Sequence, residues 1–332
     1  MKLRRVWDGT KPVVQIGTGA GWVDAAEALR RMSPPLSGSD IARWSADTIA
    51  LLGAPADVRA HLADAAARLS PVPMNGWTAA LPFEPKSFRD FMLYERHAID
   101  AARGFVQRFL PGAARVVRAY EAVLGAPFPK LKPHPLWYRQ PIYYMGNHLA
   151  FAGDGDAIAI PSYSKALDYE LELGFVLARG LFNATPEEAE AAIGGFVVIN
   201  DFSARDVQLD EMRSGFGPQK SKHFRNGISS VVVSADEILP RWRDLDGSVR
   251  INGALIAKPT SAGPRWSLGE ALAHVSRSER LYAGELFATG TLPGGCGIET
   301  GRLLAVGDTI ELAIEGVGTL TNRIVAKEES NP

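Results

Sequence analysis

The chain has 332 residues, of which 46% are hydrophobic and 22% charged, so it can bury a sizeable core and suits one large domain with a smaller one. Its 36 basic and 37 acidic residues nearly cancel, and no run of five Lys or Arg occurs, which argues against a nucleic-acid or anionic-membrane partner. A single cysteine, Cys296, excludes an intramolecular disulfide. With no apolar leader at the start and no membrane-spanning run, these features predict a cytoplasmic protein that binds a small molecule.

The first 33 residues contain VVQIGTGAG followed by WVDAAEALRRM, an order that suggests the start of a dinucleotide-binding unit. Gly17, Gly19 and Gly21 are spaced G-x-G-x-G, so the third glycine is misplaced for that unit. The expected second strand is also replaced by MSPPLSGSD. We therefore predict a hairpin with strands at 13–16 and 22–24, and keep the dinucleotide site as the weaker alternative.

Apolar spacing predicts helices between residues 40 and 69, with a break at Gly53 and Pro55. Residues 70–88 are proline-rich and lack periodicity, which is typical of a loop or linker after a small N-terminal domain. A further helix is predicted over about 89–110. After about residue 131 the pattern changes to short β-rich runs between glycine and proline turns, which predicts a strand-rich core of sandwich or barrel type.

Two glutamates alternate in DYELEL at residues 168–173. Because side chains at i and i+2 of a strand share a face, Glu170 and Glu172 should project together. Two like charges so close are unfavourable unless they face water or share a cation. A solvated edge strand would be the simpler explanation of this pattern taken alone.

A third carboxylate favours a shared cation over a solvated edge strand as the explanation. Asp201 follows GGFVVIN, a nearly continuous apolar run typical of a buried strand, and a carboxylate at such a place needs a partner. Three converging carboxylates make an all-oxygen site, which suits Mg²⁺, Mn²⁺ or Ca²⁺ better than zinc. The sequence therefore predicts Glu170, Glu172 and Asp201 as ligands of one divalent metal.

The ordered set DYELELGF, VINDFSARDVQ, FGPQKSKHF and ATGTLPGG closely resembles the fumarylacetoacetate hydrolase family, over about residues 86–325. The resemblance implies an α+β, mainly β, protein, with a mixed β-sandwich roll in a catalytic domain at 86–332 and a smaller, variable α/β domain at 1–85. It also implies a homodimer, and a metal, Mg²⁺ or alternatively Mn²⁺ or Ca²⁺, held by the three carboxylates above.

The resemblance further implies Lys222 as the active-site lysine, and Arg205 and Gln208 as substrate-binding groups one and two helical steps past Asp201. Tyr144 lies where the family has a substrate-facing tyrosine, although a buried structural tyrosine is an equal alternative. Thr291, within ATGTLPGG, is a candidate to bind a carboxylate or keto oxygen, since the glycines there let the backbone approach a ligand.

Among six histidines, His97 stands out because Asp90 precedes it by seven residues, two turns along one face if the stretch is helical. The hydrolytic branch of the family has an Asp and a His at this spacing. That implies Asp90 as a further metal-associated carboxylate and His97 as the water-activating base. Glu299 matches the family's histidine-orienting carboxylate, with Asp100 as the local rival. A thiol nucleophile at Cys296 has no base partner in the pattern.

The resemblance implies a metal-dependent hydrolase that cleaves a carbon–carbon bond in a 1,3-diketo acid, either an acylpyruvate or a compound like fumarylacetoacetate. Decarboxylation, isomerisation and hydration of a 2-keto-4-enoate are alternatives that use the same site. A non-enzymatic, metal-stabilised binding protein is the alternative from another class. The acyl group, the physiological metal and the oligomeric state stay open.

Overall fold

The computed structural model of the protein describes residues 1–73 and 76–326. Within those ranges no helix combines the length and the apolar character needed to cross a membrane. The strands are β1 Lys2–Trp7, β2 Pro12–Thr18, β3 Gly21–Asp24, β4 Thr78–Ala79, β5 Phe88–Phe91, β6 Tyr143–Gly146, β7 Phe151–Ala152, β8 Ala157–Ala159, β9 Leu167–Asp168, β10 Glu170–Leu177, β11 Ile193–Asn200, β12 Ser203–Ala204, β13 Asn226–Ile228, β14 Val231–Ser234, β15 Gly247–Ile251, β16 Ala254–Ala257, β17 Leu286–Cys296, β18 Thr309–Ile314 and β19 Gly318–Val325.

The α-helices are α1 Ala25–Arg30, α2 Gly38–Ala46, α3 Thr48–Leu52, α4 Ala56–Ala67, α5 Glu95–Phe109, α6 Pro111–Leu124, α7 Pro186–Glu190, α8 Arg205–Arg213, α9 Ala235–Ile238, α10 Leu268–Val275 and α11 Gly297–Thr300. Short 3-10 turns lie at Pro129–Leu131, Pro135–Tyr138, His148–Ala150 and Leu239–Arg241.

Two sheets carry most of the strands. The larger has twelve strands, and its main path runs β3-β2-β1-β14-β11-β10-β17-β5-β6. The smaller has five strands in the order β16-β15-β18-β19-β8. They face each other across one core, in which Leu171 and Leu173 of β10 pack with Leu312 and Leu320. Helices α1 to α4 cover part of the opposite face of the larger sheet. The predicted α+β, mainly β, sandwich class is confirmed.

The central strands β10 and β11 are antiparallel neighbours, and every residue in both is buried. Burial on both faces explains the nearly continuous apolar run of β11. Because Leu171 and Leu173 point into the core between the sheets, Glu170 and Glu172 project from the other face of β10. The two glutamates thereby lie on the face of the larger sheet that points away from the core between the sheets.

The N-terminal hairpin is confirmed. Strands β2 and β3 pair antiparallel, with Thr18 opposite Gly21, so the glycines lie in and beside a strand-to-strand turn. Helix α1 begins after Asp24, whose carboxylate caps it by accepting the N–H of Glu27 at 2.9 Å. No glycine loop opens that helix, and the dinucleotide alternative is wrong. Since β1 also pairs with β14, the N-terminal strands continue the larger sheet, and the division at residue 85 stays a prediction, as does the homodimer.

Helices α2, α3 and α4 fall in the predicted helical region, and 70–88 is largely irregular, with residues 74 and 75 outside the described ranges. The helix predicted over 89–110 is wrong in its first part. Residues 88–91 form β5, which is parallel to β17 and antiparallel to β6, and α5 begins only at Glu95. Pairing with a strand on each side satisfies the backbone hydrogen bonds of these four buried residues. The distant strands therefore determine the structure here, and the local helical pattern does not. Asp90 and His97 therefore do not share a helix face.

Candidate active site

Three carboxylates meet where neighbouring strands bring them together. Asp90 lies on β5, Glu172 on β10, and Asp201 directly after β11. One oxygen of each lies within 4.8 Å of an oxygen of the other two. Their residues are 6%, 1% and 0% exposed respectively. The solvated-edge explanation for Glu172 is excluded by this burial.

Two oxygens of the cluster lack a donor in the part of the chain that the structure describes. Asp90 Oδ1 and Glu172 Oε2 have no hydrogen-bond partner among the described residues. Burial, reinforced by the neighbouring carboxylates, raises the pKa of Asp90 and of Glu172 well above their usual values. A divalent cation would remove this penalty, and an all-oxygen donor set suits Mg²⁺, Mn²⁺ or Ca²⁺. The residues present fit a divalent metal.

Glu170 has different partners. Its Oε1 accepts from Arg205 Nη2 at 2.6 Å, and its Oε2 accepts from Lys222 Nζ. Burial would raise the pKa of Glu170, but the charges of Arg205 and Lys222 outweigh it and lower that pKa. The register of β10 against β17 shifts between Glu170 and Glu172, so the two side chains differ in surroundings despite their shared face. Glu170 as a metal ligand stays a prediction.

Hydroxyl and amino groups surround the other side of the cluster. Asp201 Oδ2 accepts from Tyr144 at 2.8 Å and from Lys222 Nζ at 2.6 Å. Asn226, with its amide nitrogen turned toward the carboxylate, donates to Asp201 Oδ1 at 2.8 Å. Thr291 Oγ1 donates to Glu172 Oε1 at 3.2 Å. Tyr144 and Thr291, predicted to bind substrate, thus also hold the carboxylates in place.

Lys222 and Tyr144 keep fixed protonation states. Burial would lower the pKa of Lys222, but Asp201 and Glu170 outweigh it and raise that pKa, so the ammonium stays charged. Burial, then the charge of Asp201, raises the pKa of Tyr144 well above its usual value, so the phenol stays neutral. Both groups are hydrogen-bond donors beside the carboxylate cluster.

His97 and Glu299 form a buried pair. His97 Nδ1 is hydrogen-bonded to Glu299 Oε1, and their side chains are 8% and 4% exposed. Glu299 Oε2 also accepts the backbone N–H of Gly294. Asp100, the local rival, bonds instead to Arg103. With Nδ1 held by a carboxylate, the other ring nitrogen of His97 has no hydrogen-bond partner in the described part of the chain.

Asp168, which lies next to the predicted site residues but is not predicted from the sequence, is a buried carboxylate with four donors. This 0% exposed carboxylate accepts the backbone N–H groups of Tyr169, Gly297 and Ile298 at 2.8, 2.7 and 2.9 Å, and Arg205 Nε at 2.7 Å. A Cβ on Gly297 would lie 2.2 Å from Asp168 Oδ1, so only glycine permits this approach. Its place just before the E-x-E strand was the one available signal.

A cleft of about 590 Å³ joins these groups. Asp201 and Glu299 are not among its lining residues, and the other predicted site residues line it: Asp90, His97, Tyr144, Glu170, Glu172, Arg205, Gln208, Lys222 and Thr291. Arg205 is the first residue of α8, and its Nη1 donates to Gln208 Oε1 at 2.9 Å. Arg205 and Gln208 both lie in the first turn of α8. Asp201 precedes this helix, so the two residues are not helical steps from Asp201 as predicted.

A second group of potential ligands adjoins the histidine. Atoms of His97, Cys296 and Glu299 lie within 4.8 Å of one another. Burial, followed by the charge of Glu299, raises the pKa of the Cys296 thiol well above its usual value. Because the thiolate is the form that attacks carbon and binds metals, this environment disfavours both roles for Cys296.

A family model described as fumarylacetoacetate (FAA) hydrolase C-terminal matches residues 114–325. The chain belongs to the fumarylacetoacetate hydrolase family. The match includes Glu172, Asp201 and Glu299. It begins at residue 114 and so does not include Asp90 and His97. Membership of the fumarylacetoacetate hydrolase family makes the chain an enzyme.

Relatives within the fumarylacetoacetate hydrolase family differ in reaction. An oxaloacetate tautomerase of Bacillus subtilis is 30% identical over 186 residues, 55% of this chain and 61% of the relative. Fumarylacetoacetate hydrolase from Exiguobacterium antarcticum has a TM-score of 0.69 at 22% identity, covering 98% of this chain and 100% of its own. Fumarylpyruvate hydrolase from Pseudomonas aeruginosa, solved with Mn²⁺ and pyruvate, has a TM-score of 0.55 at 21% identity, covering 75% and 92%. The two structures share the fold of this chain.

Proposed function

We propose that the protein is a divalent-metal-dependent hydrolase that cleaves a carbon–carbon bond in a 1,3-diketo acid, such as an acylpyruvate. The observation that supports this proposal is the buried His97–Glu299 pair, whose histidine lines the same cleft as Asp90 and Glu172 of the carboxylate cluster. A base oriented by a carboxylate, beside acidic metal ligands and a fixed cation, is the set of groups that water-dependent cleavage needs.

Asp90, Glu172 and Asp201 would hold the metal, with Glu170 as a further candidate. Mg²⁺ is our first choice, with Mn²⁺ and Ca²⁺ as alternatives, because all the donors are carboxylate oxygens. When bound, such an ion supplies Lewis-acid polarisation of a carbonyl and compensates developing negative charge.

Proton movement falls to the histidine. Glu299 accepts the Nδ1–H of His97 and so fixes the tautomer whose Nε2 is free to take a proton from water. The resulting imidazolium is stabilised by the Glu299 carboxylate. The hydroxide would add to the acyl carbonyl, and the bond between that carbon and the enolate carbon would break. The His97 imidazolium would then return to the enolate carbon the proton that it took from water. The products are a carboxylic acid and a 2-keto acid.

The cations position the substrate. Lys222 stays charged at the floor of the cleft and would donate to an anionic substrate oxygen or to the departing enolate. Arg205, held by Asp168 and Glu170, and Gln208 beside it would bind the 2-keto acid end. Tyr144 and Thr291 add hydroxyl donors at the carboxylate cluster.

The test measures acylpyruvate hydrolysis, followed at the diketo enol absorbance, with Mg²⁺ or Mn²⁺ and with chelator. Glu172→Ala should lose metal-dependent turnover and metal binding, measured by calorimetry. His97→Ala should bind metal as the wild type does but hydrolyse about 10²–10⁴ times more slowly. Hydrolysis by His97→Ala at the wild-type rate would show that the base is assigned wrongly.

A second candidate is tautomerisation of oxaloacetate, favoured by the 30% identical tautomerase. That reaction moves a proton through an enolate and consumes no water, so its products contain no new carbon–oxygen bond. Incubation in ¹⁸O-labelled water separates the two: hydrolysis places label in the released carboxylic acid. Turnover of oxaloacetate without any acylpyruvate cleavage would favour the tautomerase.

A further inference from the structure

The cleft continues past the catalytic groups between apolar walls. One wall is a face of α5, the helix that also carries His97, and its lining residues recur at helical spacing: Ala98, Ala101, Ala102, Phe105 and Val106. These side chains are all half-buried. An apolar helix face that borders a cleft is available to apolar parts of a ligand.

Apolar side chains outside α5 line the cleft as well. Leu209 and Met212 do so from α8, together with Ile142 and with Ile298, which packs against α5 at Gly104. Met212 is 51% exposed, as expected for a side chain at the edge of an open cleft. A ligand in this part of the cleft would bury apolar surface against these side chains.

The length of the apolar face of α5 indicates how long a ligand group could lie along it. Phe105 lies eight residues beyond His97, about 12 Å along the axis of α5. The 2-keto acid end of a diketo acid would occupy the polar part of the cleft, beside Arg205 and Lys222. The remaining space, along α5, falls to the group on the other side of the cleaved bond.

We propose that this wall is the binding site for the acyl group, and that the preferred substrates carry an extended apolar acyl chain. The inference rests on the proposed function, because it takes the site's substrate to be an acylpyruvate. It adds the class of acyl group, which membership of the family does not fix. Oxaloacetate, a short dicarboxylate, would leave the α5 wall without a contact.

Charge placement argues against a dicarboxylate. The buried cations Arg205 and Lys222 are both at the polar end and already paired with carboxylates. Besides these two, only Lys130 and Lys132 among the described residues bring Lys or Arg charge to the lining of the cleft, and both are exposed. A carboxylate lying against the alanines of α5 would lose water without gaining a donor.

The experiment compares kcat/KM for acetyl-, butanoyl- and hexanoylpyruvate with that for fumarylpyruvate, using the metal-loaded protein. Each methylene buried against the wall should raise kcat/KM about fourfold. Ala101→Leu fills the wall and should lower the hexanoyl-to-acetyl ratio of kcat/KM at least tenfold. Ala119→Leu, the same change at an exposed position of α6 outside the cleft, should leave the ratio unaltered and controls for folding.

Two outcomes overturn the proposal: a kcat/KM independent of chain length, or a preference for fumarylpyruvate that Lys130→Met or Lys132→Met removes. Binding separates this failure from failure of the proposed function. Calorimetry with metal-loaded His97→Ala should give a Kd that falls from acetyl- to hexanoylpyruvate. Chain-length-dependent binding without wild-type cleavage would support the acyl site and contradict the hydrolase, whereas cleavage with uniform Kd and kcat/KM would do the reverse.

Discussion

Asp168 accepts the Nε–H of Arg205 at 2.7 Å on one carboxylate oxygen and the backbone N–H of Gly297 at 2.7 Å on the other. Gly297 is the first residue of α11, and Glu299 follows two residues later. A single buried carboxylate therefore fixes both the cation proposed to bind the 2-keto acid and the short helix that carries the partner of His97.

Asp168→Asn should disturb both ends of this connection. The amide loses one accepting oxygen and turns N–H donors toward Arg205 or the α11 backbone, which have only donors to offer. We expect kcat/KM to fall about 10- to 100-fold, with a shifted pH–rate profile because Glu299 moves relative to His97. Asp206→Asn is the control, since Asp206 accepts from Ser164 and Lys165 outside the site. Equal losses in both variants, with no pH shift, would contradict the positioning role.

Glu299→Gln tests the charge of the pair. The glutamine can still accept the Nδ1–H of His97, but it cannot stabilise the imidazolium. We expect kcat to fall about 10²–10⁴-fold while the Kd for Mg²⁺ or Mn²⁺ stays unchanged. Asp100→Asn removes the charge of the alternative candidate partner of His97, which is bonded to Arg103 instead, and should leave kcat unchanged. If Asp100→Asn caused the larger loss, the assignment of the partner would be wrong.

Glu172→Gln should stabilise the metal-free protein and destabilise the metal-bound one. Removing one charge relieves repulsion with Asp90 and Asp201, whose oxygens lie within 4.8 Å. In the wild type, metal at 100 times its Kd should add about 2.7 kcal/mol to the free energy of unfolding. Thermal melts with chelator and with Mn²⁺ measure both effects, and Glu187→Gln on the exposed start of α7 is the control. A variant with the wild-type metal response would exclude Glu172 as a ligand.

Glu211 should make the loop before Lys222 sensitive to acid. Its carboxylate accepts the N–H groups of Gln219, Lys220 and Ser221, and the Ser221 hydroxyl. Burial would raise the pKa of Glu211, but these hydrogen bonds outweigh it and lower that pKa. A lowered folded-state pKa gives stability that is present above the unfolded-state value and lost as pH falls through the folded-state value.

The wild type should therefore have a higher free energy of unfolding than Glu211→Gln, by the largest amount near pH 7. This difference should shrink as pH falls below the usual pKa range of glutamate. Urea unfolding across that pH range measures it. Asp210→Asn changes the neighbouring carboxylate, whose side chain is 88% exposed, and should show no comparable pH dependence. A constant difference at every pH would contradict the role of the Glu211 charge.

Cys296→Ala should retain metal binding and hydrolysis within a few-fold of the wild type. The thiol is 0% exposed, and burial raises its pKa, so it supplies neither a nucleophile nor a thiolate ligand. Thiol reagents should react with the folded protein far more slowly than with the unfolded chain. Loss of metal binding in this variant would instead place an ion between His97, Cys296 and Glu299.

The sequence could place Glu172 and Asp201 because strand alternation and the end of a buried run are local signals. It could not separate Glu170 from Glu172, since the register shift of β10 against β17 and the contacts of Glu170 with Arg205 depend on distant segments. Local spacing predicts a helix at Asp90, and misses β5 because the partners of that strand lie at residues 143–146 and 286–288. Non-local pairing of this kind leaves little trace in a local pattern.

The role of Asp168 cannot be predicted from the sequence for the same reason. Its donors Arg205 and Gly297 lie 37 and 129 residues away, and DYELEL alone gives no sign of them. The sandwich class, by contrast, followed from features repeated along the whole second half of the chain, which a few misplaced elements do not alter.

His97 and the alanines that line the cleft lie on one helix, α5, so the proposed base and the proposed acyl site would move together. A substitution that shifts α5 to admit a bulkier substrate should therefore also lower the rate of hydrolysis, if His97 is the base as proposed. Attempts to redesign substrate preference should therefore begin on α8, at Leu209 or Met212, which line the cleft from a different helix than His97.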